Sequence, residues 1–234
     1  MALPKLNTMT YELELPSSGE TIKYRPFLVK EQKILMIAQE SEDDKQIQNA
    51  FAQIVTDCTF GELDPYVMPM FDLEYVFLQL RSKSVGEKVK LKLICPDDNK
   101  TEVQVTLDLK DVDVQMTDDH TNIVKLTKDI SMIMKYPSLS DMDGFDPQGQ
   151  IRSIFEMIKR CILEIHDGKT IHNKVDISDK ELDKFIDNMS TENFEGVSNF
   201  FETMPKLRHV FKITNPKTKK KSEIPVEGLQ SFFD

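Results

Sequence analysis

From residue 11 the chain alternates apolar and polar side chains, with Tyr11, Leu13 and Leu15 on one face and Glu12 and Glu14 on the other. A period of two predicts a half-buried strand. Pro16-Ser17-Ser18-Gly19 supplies a turn in which Gly19 is free to take positive φ. Ile22 and Tyr24 continue the alternation until Pro26, which cannot donate to a ladder, ends it. The period then becomes helical. Ile34, Leu35, Ile37 and Ala38 mark a helix from about Val29 to Glu40, and Asp43-Asp44 places acceptors and negative charge where a second should begin. In that second helix Ile47, Phe51, Ile54, Val55 and Cys58 form one apolar stripe. The segment Pro69 to Arg81 reads as a third helix, apolar on much of its circumference and so central to a core.

Lys88 to Leu109 carries the clearest strand pattern. Val89, Leu91 and Leu93 alternate with Lys88, Lys90 and Lys92, and Val103, Val105, Leu107 and Leu109 alternate with Glu102, Gln104, Thr106 and Asp108. Pro96-Asp97-Asp98-Asn99-Lys100 is the turn between them, so the lysine row should face the more acidic row across the hairpin. Short strands follow near Ile123–Leu126 and Ile130–Met134, then an Asp-rich stretch, Ser138 to Pro147. Ile151, Ile154, Phe155, Ile158, Ile162 and Ile165 predict a helix of about 17 residues on their spacing. Ser178-Asp-Lys-Glu181 matches a capping box opening a short helix with Leu182, Phe185 and Ile186 inward. Phe194, Val197 and Phe201 predict another helix before Pro205. A last hairpin, roughly Leu207–Thr214 and Lys220–Val226, turns through Asn215-Pro-Lys-Thr-Lys219.

The pattern is α+β: two closely packed lobes, 1–117 and 118–234, each combining helices with antiparallel β-hairpins, or one continuous domain. Any lobe boundary falls between Asp111 and Pro147. Each half ends in helices followed by a hairpin with a five-residue polar turn, a loose echo that does not align as a repeat.

Composition narrows the function. A formal net charge of −10 argues against general nucleic-acid binding and would repel anionic membranes. No apolar run approaches the ~18–20 residues of a membrane span, and the N-terminus lacks a signal-peptide layout. Cys58, Cys95 and Cys161 are odd in number and far apart, which disfavours a disulfide framework and suits a reduced, cytosolic protein.

Catalytic signatures are missing. The chain has no G-x-x-x-x-G-K-[ST], G-x-S-x-G, G-x-G-x-x-G or H-E-x-x-H, so no catalytic or cofactor-binding residue is nominated. His166 and His172, six apart around Asp167-Gly168, lack the three- or four-residue spacing of a helical metal pair and read as a helix end. Asp141-Met-Asp-Gly-Phe-Asp146 has Gly at the fourth position and no later Glu, unlike a calcium loop, and reads as a solvated loop. Cys95-Pro96 resembles the start of a zinc knuckle, but Asp97-Asp98-Asn99 offers no second soft ligand, so no metal is assigned.

Two features suggest protein contact. The basic cluster Lys217-Thr-Lys219-Lys220-Lys221 is either a solvated tip that discourages edge pairing or a contact for an acidic protein. The closing segment, with Leu229, Phe232 and Phe233, either docks on its own core or inserts into a partner's groove.

Tyr24-Arg-Pro-Phe-Leu-Val-Lys-Glu-Gln-Lys-Ile-Leu, Leu80-Arg-Ser-Lys-Ser-Val-Gly-Glu87 and Gly228-Leu-Gln-Ser-Phe-Phe resemble the T4-like bacteriophage baseplate hub assembly protein family over nearly the full length. The resemblance implies a non-enzymatic, chaperone-like assembly factor that binds tail or hub subunits in the host cytoplasm. The alternative is a structural subunit retained in the virion baseplate. Implied partners are phage baseplate hub or tail proteins, not nucleic acid or membrane; the contacted subunit and oligomeric state stay open. Some members carry Cys pairs in both hairpins, in the manner of small zinc ribbons. Here only Cys95 remains, and polar turns are expected to close the hairpins instead.

Overall fold

The alternating segments pair as antiparallel hairpins and the helices bury much of their apolar surface, giving six α-helices and eleven strands among the described residues. Ile37, Ile151 and Ile154 of the predicted stripes stay exposed. The computed structural model describes residues 7–41, 43–145 and 151–228, without the side chain of residue 44. The chain forms two compact units, one from the chain up to Gln115 and from Lys206 onward, the other from Met116–Pro205.

In the first unit, β1 (Tyr11–Glu14) pairs with β2 (Thr21–Tyr24), Leu13 opposite Ile22. The α1 helix (Val29–Glu40) follows, then α2 (Asp44–Cys58) and α3 (Met70–Val85). Asp43 caps α2 by accepting from Lys45 N–H at 2.9 Å and Gln46 N–H at 3.3 Å. Glu31 reaches back to the Leu28 N–H at 2.8 Å, closing the first turn of α1. The helices pack in chain order, and α3 buries Phe71, Leu73, Val76, Phe77, Leu78 and Leu80. That wide apolar surface is the centre of the first unit.

Next come β3 (Lys88–Ile94) and β4 (Glu102–Asp108), with Lys88 opposite Asp108, Lys90 opposite Thr106 and Lys92 opposite Gln104. The rows therefore face as expected, with one opposite-charge pair. A short strand, β5 (Asp113–Gln115), ends this stretch of chain.

The second unit carries a four-stranded sheet in the order β6-β7-β8-β9: β6 (Ile123–Lys125), β7 (Ile130–Met134), β8 (Ile162–Asp167) and β9 (Thr170–Asn173). Helices α4 (Ile151–Cys161), α5 (Asp179–Asp187) and α6 (Thr191–Thr203) complete it. Its core gathers Val124, Met132, Met134, Ile158, Ile162, Ile165, Leu182, Val197 and Phe200. Gly196 on α6 is where the helix meets β6: a Cβ there would lie 3.3 Å from a Val124 methyl.

Three expectations are corrected. The long helix stops at Cys161, and Ile162 and Ile165 belong to β8, where Ile165 lies opposite Met132. Two residues three apart satisfy a helix stripe, yet a neighbouring strand offering its edge decides otherwise. The Asp167-Gly168 step is accordingly a hairpin turn, with Gly168 at φ 58°, and not a helix end. The closing hairpin, β10 (Lys206–Thr214) and β11 (Lys221–Glu227), belongs to the first unit and not to a C-terminal lobe. Leu207 of β10 pairs with Val114 of β5, forming the sheet β11-β10-β5.

Candidate functional site

Three hairpins of the first unit turn through the same five-residue word: Leu15-Pro-Ser-Ser-Gly19, Cys95-Pro-Asp-Asp-Asn99 and Asn215-Pro-Lys-Thr-Lys219. In each, the fifth residue's N–H donates to the first residue's carbonyl, at 2.8, 2.9 and 2.9 Å. Gly19, Asn99 and Lys219 all occupy the left-handed region, at φ 70°, 50° and 64°. Proline fixes the second position, and the positive φ at the fifth turns the chain back into its return strand.

The second and third turns meet. Asn215, 1% exposed, donates through Nδ2 to Asp97 Oδ1 at 3.0 Å and to Asp98 Oδ2 at 3.1 Å. Its Oδ1 accepts from the Lys217 and Thr218 backbone N–H groups at 2.8 and 3.3 Å, which fixes the amide's orientation. The Thr218 hydroxyl donates to Asp97. Asp98 also accepts from the Thr101 hydroxyl at 2.5 Å and the Thr101 N–H at 2.9 Å. These bonds hold both carboxylates below their ordinary range: Asp97 through Asn215 and Thr218, Asp98 through Thr101, Lys100 N–H and Asn215. Cys95 is buried beside them, and burial together with the two carboxylates raises its thiol.

This junction presents the basic cluster. Lys217, Lys219, Lys220 and Lys221 are all exposed on the third turn and the start of β11. Lys219, Lys220 and Lys221 thus stand exposed on a tip braced from the other hairpin. Leu229, Phe232 and Phe233, the other predicted contact residues, lie outside the described residues. Sequence reading missed Asp97, Asp98, Asn215 and Thr218 as a group. The signal available was the repeated X-Pro-x-x-X word.

Elsewhere Asp141, His120, Cys58 and Cys161 are committed to structure. Asp141 is buried, not solvated: it accepts from Lys135 Nζ at 2.7 Å and from the Ser138 N–H and hydroxyl at 2.9 and 2.6 Å. Burial opposes its ionisation, but those donors outweigh it and lower its pKa. Asp146 lies outside the described residues. His166 contacts Glu164 at 2.7 Å, whereas His172 sits opposite Ile165 and so faces the other side of the sheet. His120 lies between Thr203 Oγ1 at 2.9 Å and the Tyr136 hydroxyl at 3.1 Å, against the Tyr136 and Phe200 rings. Burial raises the Cys58 and Cys161 thiols to about 12, far from the thiolate a nucleophile needs. A depression of about 160 Å³ in the second unit is lined by Arg152, Ser153, Glu156 and Arg160, and Glu156 is engaged by Lys159 at 2.7 Å. Among the described residues no group of three His, Cys, Asp or Glu is gathered to hold a metal ion. No helix there is long and apolar enough to cross a membrane.

The family model described as T4 bacteriophage base plate protein matches residues 8–234. This chain belongs to that family. The match spans both units and every element given above, so the α+β architecture is that of a phage baseplate protein. No curated protein and no solved structure matches the chain. For a baseplate protein the surfaces that contact other tail components matter most. Besides the lysine tip, the first unit exposes Val29, Met36 and Ile37 along α1, at 67%, 53% and 65%. Spacings of seven and eight place all three on one helix face.

Proposed function

We propose that this baseplate-family protein is a non-enzymatic, chaperone-like assembly factor that binds tail or hub subunits while the baseplate hub is built in the host cytoplasm. The observation that carries this reading is the family match over residues 8–234. Its surface chemistry supports the role: an apolar stripe on α1 and a braced lysine tip are features of a protein that contacts proteins. Buried thiols, a histidine locked between Thr203 and Tyr136, and carboxylates occupied by structural donors favour binding over catalysis.

Mechanistically, the protein covers a subunit surface that must not aggregate and gives way when the next component docks. Apolar contact through Val29, Met36 and Ile37 supplies area, and the lysine tip speeds the approach of an acidic partner. A second reading, a structural subunit retained in the virion baseplate hub, is favoured by the family description, which names the base plate itself.

Co-purification tests both. The tagged protein is expressed with the other hub proteins, and the proteins it retains are compared with those of purified mature tails. Binding to hub subunits together with absence from mature tails supports the assembly factor. A fixed stoichiometry in mature tails replaces it with the structural subunit, and failure to retain any hub or tail protein removes both.

A further inference from the structure

We propose that the joined tips of β3–β4 and β10–β11 form a four-position ligand frame that this chain closes with a hydrogen-bond cluster in place of a metal ion. The frame is visible in the backbone. Two turns of one word bend through the same carbonyl-to-amide bond and the same left-handed fifth residue, and they meet tip to tip. The first and fourth positions of the two turns are Cys95 and Asp98, Asn215 and Thr218. Asn215 and Asp98, from opposite turns, already touch at 3.1 Å.

The donor set does not suit the zinc ion implied by Cys pairs in some members. A structural zinc site takes four thiolate or imidazole ligands in a closed tetrahedron. Here one thiol is present. The Asn215 amide nitrogen is a donor with no lone pair to give, and its oxygen is turned onto two backbone N–H groups. The Thr218 hydroxyl points its hydrogen at Asp97. The cluster is satisfied as it stands: a buried amide faces two carboxylates, whose oxygens also collect backbone and hydroxyl donors. Such a closure needs no ion and survives any chelator.

Two measurements test this. The purified wild-type protein is expected to carry zinc well below stoichiometry and to melt at the same temperature with or without EDTA. Stoichiometric zinc, or a melting temperature that falls with EDTA, overturns the proposal. The second uses the variant Asp98→Cys/Asn215→Cys/Thr218→Cys, with Cys95 resident. It is expected to bind Co(II) with the near-ultraviolet thiolate charge-transfer band and to gain thermal stability on adding zinc. Folding only after zinc is added counts the same way, since ligand assembly then supplies folding free energy. A variant that takes up no Co(II), folded or not, shows that the four positions do not converge and overturns the frame.

Discussion

Arg25 Nη2 donates to Glu31 Oε1 at 2.8 Å, and the carboxylate it meets is fully buried where the first hairpin gives way to α1. Burial alone would push this carboxyl up. The Arg25 guanidinium, the Leu28 N–H and Lys30 outweigh it and bring it to about 2, against an ordinary 4.5. Arg25 also donates its own N–H to the Cys58 carbonyl at 2.9 Å, so the pair ties the β2 exit to the end of α2. Truncating one partner of a buried ion pair leaves the other desolvated and uncompensated. Glu31→Ala is therefore expected to cost about 3–5 kcal/mol in equilibrium denaturation. Because the folded value lies below the unfolded one, wild-type Glu31 contributes fully above pH 4.5, and that contribution fades as pH falls toward 2. Glu31→Gln should flatten that part of the stability–pH curve.

Asp72 shows the opposite sign. It is 1% exposed in the first turn of α3 and accepts from the Ser17 N–H at 3.1 Å and from the Ser17 hydroxyl. Burial raises its pKa despite those two bonds. The fold thus prefers the protonated form, and stability from this group is full below 3.8 and declines as pH rises through the folded value. Asp72→Asn, which keeps an acceptor and removes the charge, should melt no lower than wild type at pH 7. Ser17→Ala should lose about 1.5–3 kcal/mol, the range for a hydrogen bond to a charged group. A large loss in Asp72→Asn would show that the ionised form is the stabilising one.

His120 should titrate below the ordinary imidazole value. The Thr203 hydroxyl donates to the Asn199 carbonyl at 2.7 Å, which leaves its oxygen to accept from His120 Nδ1–H. Tyr136 then donates to Nε2. Burial lowers the imidazole below its ordinary 6.5, so its contribution is present above 6.5 and is lost as pH falls. Nitrogen-15 NMR should find the Nδ1–H tautomer at pH 7 and a titration midpoint below 6.5. A midpoint above 6.5 contradicts the packing against Tyr136 and Phe200.

Much of this architecture was legible along the chain, because apolar spacing acts over a few residues at a time. The bounds of α1, Val29–Glu40, match the predicted segment, and the Asp43 and Ser178 caps lie where their side chains foretold. The misreadings needed partners distant in sequence. Ile162 and Ile165 become strand because β7 offers Met134 and Met132 opposite them. The last hairpin joins the first unit through β5, a strand three residues long with almost no local pattern. At the candidate site the lysine tip was readable as a charge run. The Asn215–Asp97 bond beneath it spans 118 positions, and no local pattern could reveal it.

Lys219 holds φ 64° at a position filled by glycine in the first turn. A side chain in the left-handed region costs about 1–2 kcal/mol, partly offset by glycine's greater freedom when unfolded. Lys219→Gly is expected to stabilise the protein by about 0.5–1 kcal/mol while removing one tip charge. Charge reversal by Lys219→Glu, Lys220→Glu and Lys221→Glu together should leave the fold intact by circular dichroism. It should also slow association with an acidic hub or tail partner and invert the salt dependence of that rate, since screening then relieves repulsion. Unchanged association would remove the tip from the interface.

The pairing of β5 with β10 also orders events during synthesis. Gln115 lies opposite Lys206, so the three-stranded sheet cannot close until all of Met116–Pro205 has left the ribosome. Until then α3, which packs against both strands, has β5 at hand and lacks β10, leaving apolar surface open on the nascent chain. Early folding of the intervening unit would shorten the loop to be closed and lower its entropic cost. The chain's own middle segment thus sets when its first unit can be completed.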